Sequence, residues 1–455
     1  MIFVVNQNKL FGRLTEEIGE DIIFTYDKAI EKSEYLKGLN KEVNSSKTLF
    51  PIFENMLPEH EQLDLLKNKH KISNSIDILV YLDNLHGSFE FYSEKDFQSF
   101  SPKEWEIFTY KIKKSEILQN DYTFPNILND YNLNIPDSKL YPKELANSRV
   151  IGLSGYQYKF SVIKDDDNKE IALNENKDSN YFMKPYSIYN STYDFRDKDR
   201  SYIPYLLINE HLFMTLARDF GFDVPYNGII KHNNDYHYII KRFDRFNHSK
   251  IDHIELLTLM EKSSNQKYKV TMQDLVRTAS EYIEDEERHK LFKFIIFSIV
   301  IAHGDLHSKN LSLINSSNKE GEEKKELSPF YDISTTKIYK DTKQNDIGLK
   351  IVKKTFDIKR KELYEFAKLI NIDDSIVNDY INEVTHKFFT TFKDYIEKLP
   401  SEIKALPYYQ GRYGNSKPFE SILNKYYDNR MIYINKFLID TPLLDEVEDE
   451  DDFWN

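Results

Sequence analysis

The chain has 455 residues, of which 40% are hydrophobic and 14% aromatic, so its composition is that of a folded protein with two or three domains. A formal net charge of −13 argues against direct, non-specific binding of nucleic acid, because contacts with phosphates need clustered lysine and arginine. The absence of cysteine excludes disulfides and thiolate metal sites. Met1 to Asn6 lack the features of a signal peptide, and the apolar run at 294–302 is far shorter than the ~20 residues that span a bilayer. We therefore expect a cytoplasmic protein.

The N-terminal region is predicted to form a small β-unit. Strand-like segments occupy residues 2–5, 10–14 and 22–26, with a turn at Asn6 to Lys9. Helical segments are expected near 60–70 and 76–85. No chemistry is evident in this region, including the apolar stretch from Phe50 to Glu59, which contains two prolines.

Two glycines mark the next segment of interest. After a predicted helix at 103–118 and an irregular connection, strand-like residues at 150–163 flank Gly152 and Gly155. Glycines let backbone N–H groups approach a phosphate closely, which would make this a phosphate loop. An ordinary hairpin explains the same pattern, and on this segment alone it is the better interpretation.

A lysine and a glutamate are predicted to face each other across the following elements. Lys184 ends a short apolar strand, and a helix is expected from Ile203 to Phe220, where Gly221 stops it. Glu210 falls on the apolar stripe of that helix, where a carboxylate is unusual unless it is paired. A kinase pairs such a glutamate with a strand lysine that binds phosphates. The alternative is a partly exposed glutamate at the rim of the helix.

The strand candidate at 236–240 leads into the polar segment Lys241 to Arg245. A strand that ends in such a segment suits the hinge between two lobes, where the backbone of residues 241–243 would bind adenine. A plain edge strand leading to a surface loop is the alternative, and this segment alone favours it.

The loop from His303 to Asn310 follows mainly helical residues at 268–302 and carries the strongest chemical signal. Asp305 and Asn310 have the spacing of a kinase catalytic loop, in which the aspartate orients a hydroxyl and the asparagine binds Mg²⁺. His303 and His307 make a poor zinc site, because they are four residues apart in a loop without a third ligand nearby. We expect His303 to orient the loop backbone instead.

The chain then returns to a second carboxylate, Asp332. A strand is predicted at 311–314, a charged turn at 315–326 and a return segment at 327–331, which would bring Asp332 close to Asn310. Amphipathic helices at 359–400 and 418–438 follow. The acidic tail at 445–452 is expected to be solvated and disordered.

Seven ordered motifs make the chain similar to HipA-type serine/threonine protein kinases, the toxin half of bacterial toxin–antitoxin modules. The resemblance covers nearly the whole length and is far more specific than any one motif. In chain order the motifs are Phe50 to Glu59 (similar to the family's PFFxNLLPE stretch), Ser154 to Lys159 (similar to SGxQxK), Asn209-Glu210, Val224-Pro225, Arg242 to Arg245, His307 to Asn310, and Phe330 to Asp332.

The resemblance implies roles for individual residues. Asp305 would be the catalytic aspartate, Asn310 and Asp332 the Mg²⁺ ligands, and Lys184 the lysine that binds the phosphates of ATP. The family often has a glutamate where Lys241 stands, a departure that a hinge tolerates because it works largely through its backbone. The implied ATP-binding residues are Ser154, Gly155, Tyr156, Gln157, Tyr158, Lys159, Lys184, Glu210, Lys241, Arg242, Phe243, His307, Lys309, Asn310, Tyr331 and Asp332.

The resemblance also implies regulation and partners. Family members phosphorylate a serine of their own phosphate loop and thereby eject the loop from the ATP site. Gly152 occupies one common position of that serine, which leaves Ser154 as the candidate. The implied substrate is a protein, with aminoacyl-tRNA synthetases as the precedent, and the implied partner is a HipB-like DNA-binding antitoxin.

The expected fold is therefore α+β and bilobal, like a protein kinase. We expect an N-terminal subdomain at 1–100, a β-rich N-lobe at 101–243, a helical C-lobe at 244–442 and an acidic tail at 443–455. Two other functions remain open. His303 to His307 also resembles the catalytic loop of aminoglycoside-type phosphotransferases, which act on small molecules. A catalytically inactive binding module is disfavoured, because Lys184, Glu210, Asp305, Asn310 and Asp332 are all present.

Overall fold

A computed structural model gives the fold. The structure describes the whole chain except residues 17–20, 73–75, 83–84, 103–109, 136–158, 175–178, 195–200, 233–234, 248, 318–322, 410–414, 441–442 and 444–455. Most of the predicted phosphate loop and nearly all of the acidic tail thus lie outside the described residues. None of the described helices combines the length and the apolar content that crossing a lipid bilayer requires.

An antiparallel sheet of five strands, in the order β4-β3-β2-β1-β5, forms the N-terminal unit (residues 2–97). The three strands predicted here are confirmed. The rings of Phe24, Phe53 and Phe91 pack together in its core, with centroids 5.5 and 5.7 Å apart. The strands are β1 Ile2–Asn6, β2 Lys9–Thr15, β3 Ile22–Tyr26, β4 Val43–Ser46 and β5 Glu90–Ser93.

Short helices cover this sheet, and one prediction among them is wrong. The helix at 60–70 is present, but the one expected at 76–85 is only a 3₁₀ helix, Asp77–Tyr81. The amides of Leu79 and Leu82 donate to the carbonyl oxygens of Ile76 and Leu79, three residues earlier, which is the bonding pattern of a 3₁₀ helix. The helices are α1 Pro51–Glu54, α2 His60–His70, α3 Glu94–Phe97 and a 3₁₀ helix Lys32–Glu34.

A second sheet of six strands, in the order β10-β11-β9-β7-β8-β6, follows. The strand that ends in Lys184 lies inside it, between β11 and β7, and Lys184 itself pairs with Tyr238 of β11. The strands are β6 Asn132–Asn134, β7 Phe160–Asp165, β8 Glu170–Leu173, β9 Tyr181–Lys184, β10 Asn227–His232 and β11 Asp235–Lys241.

Three helices accompany the second sheet: α4 Tyr110–Leu118, α5 Ile188–Ser191 and α6 Leu206–Asp219. The helix predicted from 203 begins three residues later, after Tyr205, which has a left-handed backbone (φ 59°) that the helix cannot continue through. Of the helix predicted at 103–118, the first seven residues lie outside the described part.

The remainder of the chain is mainly helical and packs into one large core. Its helices are α7 Leu256–Leu259, α8 Met272–Ser280, α9 Asp285–Val300, α10 Arg360–Leu369, α11 Asp374–Lys398, α12 Ser401–Lys404 and α13 Phe419–Phe437, with a 3₁₀ helix at Ser264–Gln266. The single helix expected over 359–400 is two helices, because Asn371 adopts a left-handed conformation (φ 58°) and Asp373 begins the next helix.

Two hairpins and a three-stranded sheet, β14-β15-β16, complete this helical part. The strands are β12 Arg245–Phe246, β13 Ser249–Lys250, β14 His253–Glu255, β15 Ser312–Ser317, β16 Glu323–Leu327, β17 Pro407–Tyr409 and β18 Ser416–Pro418. The charged turn predicted at 315–326 is too long. Asn315 pairs with Lys325 and Ser317 with Glu323, so the strand pair extends into the segment whose charge indicated a turn.

A buried arginine fixes the end of α9, from which the functional loop departs. Arg430 donates hydrogen bonds to the carbonyl oxygens of Val300 and Ile299 at 2.9 and 2.6 Å, and it pairs with Asp346 at 2.8 Å. These contacts satisfy carbonyls that a helix end leaves without partners. The architecture of a β-rich part followed by a helical part confirms the expected α+β class.

Candidate active site

A cleft lies between the six-stranded sheet and the central loop (residues 303–310). It brings together most of the residues singled out in the sequence. Those that line it are Lys159, Lys184, Glu210, Lys241, Arg242, Phe243, His307, Lys309, Asn310, Tyr331 and Asp332. Ser154, Gly155, Tyr156, Gln157 and Tyr158 lie outside the described residues.

Lys184 joins the two sides of this cleft. Its ammonium nitrogen lies 2.8 and 2.9 Å from the two carboxylate oxygens of Glu210 on α6, and 2.6 Å from Oδ1 of Asp332. Both Lys184 and Glu210 are almost completely buried. The alternative of an exposed glutamate at the helix rim is therefore wrong, and the pairing expected from the sequence is present. We call these three residues the Lys184 cluster.

One cation between two carboxylates sets the protonation of the cluster. Burial raises the pKa of Glu210 to about 7 despite the nearby ammonium group. Burial would also raise the pKa of Asp332, but Lys184 and Lys159 hold it well below its usual range. Burial and the charge of Lys184 lower the pKa of Lys159 to about 8. The cluster therefore favours an ionised Asp332 and leaves Glu210 able to take up a proton near neutral pH.

The central loop is built by tight backbone contacts. The amide of His303 donates to the carbonyl oxygen of Ser298 at 2.8 Å, directly after Ala302 has turned into the left-handed region (φ 54°). A side chain at Gly304 would collide with the hydroxyl of Thr336, so only glycine fits there.

The Asn310 side chain closes the loop and reaches Asp332. Its Oδ1 accepts from the amide of His307 at 3.0 Å, and its Nδ2 donates to Oδ2 of Asp332 at 3.0 Å. The two residues predicted to share a metal thus lie in direct contact. Asp332 itself has a left-handed backbone (φ 59°), a strained conformation for a residue with a side chain. Such strain is typical of functional positions whose side chain must take one direction.

Asp305 lies at the open side of the loop with an exposed side chain. Its Oδ1 accepts a hydrogen bond from the hydroxyl of Tyr268, a residue that the sequence did not single out. Neighbouring protein atoms partly remove water from the carboxylate, which raises the pKa of Asp305, and the negative charge of Asp332 also raises it. The bond from Tyr268 opposes this shift, because it stabilises the ionised form.

The two loop histidines are buried and neutral. Burial lowers the pKa of His303 to about 4 and that of His307 to about 3. Nδ1 of His307 accepts from the amide of Lys309 at 3.3 Å, which fits a neutral ring. Both imidazole rings are therefore uncharged parts of the central loop at neutral pH.

The predicted hinge forms one wall of the cleft. Amides of Lys241 and Arg242 already donate to the carbonyl oxygens of Tyr226 and Asn180, at 2.9 and 2.7 Å. Beyond them, the rings of Phe243 and Tyr331 lie 5.7 Å apart and nearly parallel. With Phe182 and Ile240 they make an apolar slot of a kind suited to a flat ring. The slot agrees with a hinge better than with a plain edge strand.

The Arg242 to Arg245 motif binds the N-terminal unit. Arg242 pairs with Asp244 through two bonds of 2.9 and 2.8 Å and donates to the carbonyl oxygen of Leu85 at 2.7 Å. Arg245 donates to Leu85 and Gly87 at 2.8 and 3.0 Å. The side chains of this motif are therefore used to join two parts of the protein, while its backbone borders the cleft.

Lys309 makes a similar connection from inside the loop. Its buried ammonium group donates to the carbonyl oxygen of Asn55 at 3.1 Å, to Ser264 at 3.0 Å and to Glu59 at 3.4 Å. Glu59 also accepts from Lys267 at 2.6 Å. The stretch from Phe50 to Glu59, in which the sequence showed no chemistry, thus contacts the centre of the site. The resemblance to a family motif was the one signal that could have pointed to it.

Comparisons with known proteins agree with this geometry. Two family models match: the HipA N-terminal domain over residues 2–85 and the HipA-like C-terminal domain over residues 151–392. A curated protein of Haemophilus influenzae named "Putative kinase" is 26% identical over 233 residues, and "Putative kinase Y4dM" of Sinorhizobium fredii is 24% identical over 286 residues. The matches take in 45% and 59% of this chain, and the chain spans only 62% and 66% of those two relatives.

A solved structure shares the fold. It is that of the Shewanella oneidensis MR-1 toxin–antitoxin system, HipA with HipB and its operator DNA. The match has a TM-score of 0.67 at 16% identity and covers 96% of this chain and 97% of that chain. The expected kinase-like fold with two lobes is thereby confirmed.

Proposed function

Because the chain belongs to the HipA family, we propose that it is a serine/threonine protein kinase that transfers the γ-phosphate of ATP to a protein hydroxyl. The Lys184 cluster is the main support. It joins a strand lysine, a helix glutamate and a carboxylate after the central loop within 2.6 to 2.9 Å, the set that a kinase needs to place ATP.

Each residue has a role in this proposal. Asp305, exposed on the central loop, orients the attacking hydroxyl and accepts its proton. Lys184 binds the α- and β-phosphates and is held in place by Glu210. Catalysis rests on positioning and charge, since phosphoryl transfer needs little covalent participation by the protein.

The donor set of Asp332 and Asn310 fits Mg²⁺, because carboxylate and amide oxygens are the ligands that this ion prefers. These two residues would hold the ion, which would neutralise charge on the phosphates. In the structure both oxygens of Asp332 are engaged, by Lys184 and by Nδ2 of Asn310, and Oδ1 of Asn310 faces the amide of His307. The Asn310 side chain must therefore turn to present its oxygen beside Asp332.

Nucleotide binding uses the rest of the cleft. The apolar slot lined by Phe182, Ile240, Phe243 and Tyr331 holds adenine, and the backbone of Lys241 to Phe243 borders it as the hinge. The amides of Lys241 and Arg242 already donate to carbonyl oxygens of the protein, so adenine does not use these two donors. Ser154 to Lys159 form the phosphate loop in this proposal, and His307 and Lys309 support the floor of the site.

The biological role follows from the family. We propose a toxin that inhibits growth by phosphorylating a protein of translation, of the aminoacyl-tRNA synthetase type, and that is held by a HipB-like DNA-binding antitoxin. The net charge of −13 supports the idea that contact with DNA comes through that partner. We also propose the division into residues 1–100, 101–243, 244–442 and an acidic tail at 443–455.

Transfer of label from [γ-³²P]ATP tests the function. Purified protein is incubated with Mg²⁺, labelled ATP and a bacterial proteome extract, in parallel with Asp305→Asn. We expect labelled serine or threonine in a protein band with the wild-type chain and no label with the variant, because the change removes only the carboxylate. Equal labelling by both would show that Asp305 is not catalytic. Labelling of small molecules but of no protein would favour an aminoglycoside-type phosphotransferase.

A further inference from the structure

We propose that the N-terminal unit takes part in phosphoryl transfer. Glu59 binds Lys267 and thereby holds the turn at residues 264–268 in place. From this turn, Tyr268 orients the Asp305 carboxylate. This inference rests on the proposed kinase function. It assigns a positioning role to two residues, Glu59 and Tyr268, that lie on different parts of the chain and meet at the central loop.

The contact between Tyr268 and Asp305 is the first step. The hydroxyl of Tyr268 donates to Oδ1 of Asp305, which leaves Oδ2 for a substrate hydroxyl. An exposed aspartate samples several rotamers, so a fixed donor on one oxygen limits the directions that the other can take. A proton acceptor must be within hydrogen-bond reach of the group it serves, which makes this restriction useful for transfer.

Tyr268 is itself held on three sides. Its ring meets the ring of His307 edge to face, with centroids 5.1 Å apart, and the ammonium group of Lys267 lies 5.6 Å from its centroid. Its hydroxyl is on Asp305. About half of the side chain is nevertheless exposed, so the tyrosine packs against the loop without being part of the core.

Glu59 anchors the turn that carries Tyr268. It accepts a hydrogen bond from the hydroxyl of Ser264 at 3.0 Å, at the start of that turn, and one from Lys267 at 2.6 Å, directly before Tyr268. The carbonyl oxygen of Lys267 accepts from the hydroxyl of Ser308 in the central loop at 2.9 Å. The buried Glu59 carboxylate of the N-terminal unit therefore holds the turn in its position against the central loop.

Glu59 also reaches the loop directly. It lies 3.4 Å from the ammonium group of Lys309, and the neighbouring carbonyl oxygen of Asn55 accepts from the same group. Asn55 in turn donates to Thr258 and to the carbonyl oxygen of Lys262, both at 2.9 Å. The segment thus holds the turn and the loop by separate contacts, which fixes Tyr268 and Asp305 relative to each other.

Full-length variants with one group removed test the proposal. Tyr268→Phe keeps the ring and deletes the donor, and Glu59→Gln keeps the shape and deletes the charge. The matched controls are Asp64→Asn, at an exposed carboxylate on helix α2, which begins directly after Glu59, and Tyr81→Phe, at another exposed tyrosine. For each protein, kcat, KM for ATP and the pH dependence of kcat/KM are measured.

For Tyr268→Phe we expect kcat to fall by about 10-fold or more, as for loss of a hydrogen bond to a charged group, with KM for ATP little changed. The acid limb of the pH profile should move up by ~1 pH unit, because a carboxylate that loses a donor binds a proton more readily. A purely structural role would lower activity without moving that limb. For Glu59→Gln we expect the same direction, and the double variant should be no slower than the slower single variant.

Hydrogen exchange of the peptides covering 264–270 and 303–310 gives a readout that needs no activity. Exchange should be faster in Glu59→Gln than in the wild type and unchanged in Asp64→Asn. An inactive wild-type protein would overturn the proposed function, while exchange would still decide whether Glu59 holds the loop. An active wild-type protein with an unmoved acid limb in Tyr268→Phe, or with unchanged exchange in Glu59→Gln, would overturn this proposal alone.

Discussion

The ammonium nitrogen of Lys184 lies 2.6 Å from a carboxylate oxygen of Asp332, residues that are 148 positions apart in the chain. Lys184 belongs to the six-stranded sheet, and Asp332 follows the strand pair β15–β16 of the helical part. This ion pair spans the cleft, so the same contact that would place a phosphate also holds the two sides of the site together.

Replacement of Lys184 by methionine should abolish phosphoryl transfer and lower the free energy of unfolding by about 3–5 kcal/mol, because the buried Glu210 carboxylate loses its cation, as does the partly exposed Asp332. The loss of stability should be smaller at pH 6 than at pH 8. Burial raises the pKa of Glu210, and the loss of Lys184 would raise it further. At pH 6 the carboxyl of the variant is therefore protonated and uncharged, so the missing cation costs less stability than at pH 8. Urea unfolding at both pH values measures the effect. Adding Glu210→Gln should restore part of the stability and none of the activity; a double variant as unstable as Lys184→Met would contradict the ion-pair explanation.

Asp332→Ala should weaken binding of ATP in the presence of Mg²⁺ by about tenfold or more, equivalent to about 1.4 kcal/mol, because a metal ligand is lost. Isothermal titration calorimetry with Mg²⁺ and with EDTA separates this from a general defect. The variant should bind ATP with nearly the same affinity in both buffers, whereas the wild-type chain should bind more tightly with Mg²⁺. Asp305→Asn is the matched control and should keep the wild-type dependence on Mg²⁺.

Glu59 should give the protein part of its stability against acid. Burial alone would raise its pKa, but Lys309 and Lys267 lower it to about 2 from an ordinary value of 4.5. The difference corresponds to about 3 kcal/mol, fully present above pH 4.5 and lost as the pH falls towards 2. Glu59→Gln should therefore be less stable than the wild type at pH 7, and the gap should narrow below pH 4.5. Thermal unfolding over this range, with Asp64→Asn as control, would show a constant gap if the charge of Glu59 were unimportant.

Expression of the intact chain in bacteria should slow growth, and expression of Asp305→Asn should not, because the variant lacks only the carboxylate proposed to act in transfer. Growth curves after induction, at equal protein levels, measure the difference. Equal inhibition by both chains would mean that the effect does not come from kinase activity. Normal growth with both would leave a small-molecule substrate as the better explanation.

Ser154 should become phosphorylated when the protein is expressed alone. A phosphate there carries about −1.5 to −2 charges at pH 7 and would compete with the phosphates of ATP for the same backbone donors, so ATP affinity should fall. Intact-mass and peptide analysis should find one added phosphate on Ser154 and none in Asp305→Asn. An active protein that stays unmodified after prolonged incubation with Mg²⁺ and ATP would rule this out and leave Ser154 as a small residue in a turn. Phosphate on Ser161 would keep the mechanism and move the residue.

Local signals in the sequence were enough for much of the fold. The strand that ends in Lys184, the apolar stripe around Glu210 and the buried helix before the central loop each depend on residues close together in the chain, so their periodicity is readable. The end of β15 and most of β16 were predicted as a turn (residues 315–326), because the consecutive charged residues Glu323 to Glu326 show no apolar alternation. Asn371 separates two helices, but the amphipathic pattern continues on both sides of it, so the sequence indicated one helix.

The role of the N-terminal unit could not be predicted in the same way. Glu59 binds Lys267 and Lys309, which are 208 and 250 residues away, and apart from the family motif at Phe50 to Glu59 nothing in its neighbourhood marks it as part of a site. Tyr268 lies in a turn between helices, where no periodic pattern applies. Such contacts depend on how distant segments pack together, which cannot be predicted from local patterns in a single sequence.

The long separation between Glu59 and Lys309 also bears on how the protein is made. A ribosome adds about 5–20 residues per second, so the partner of Glu59 emerges about 12–50 s after Glu59 itself. The carbonyl oxygen of Leu85 likewise lacks its donors until Arg242 and Arg245, 157 and 160 residues later, have been synthesised. A nascent chain therefore cannot complete its cleft before Asp332 has been synthesised.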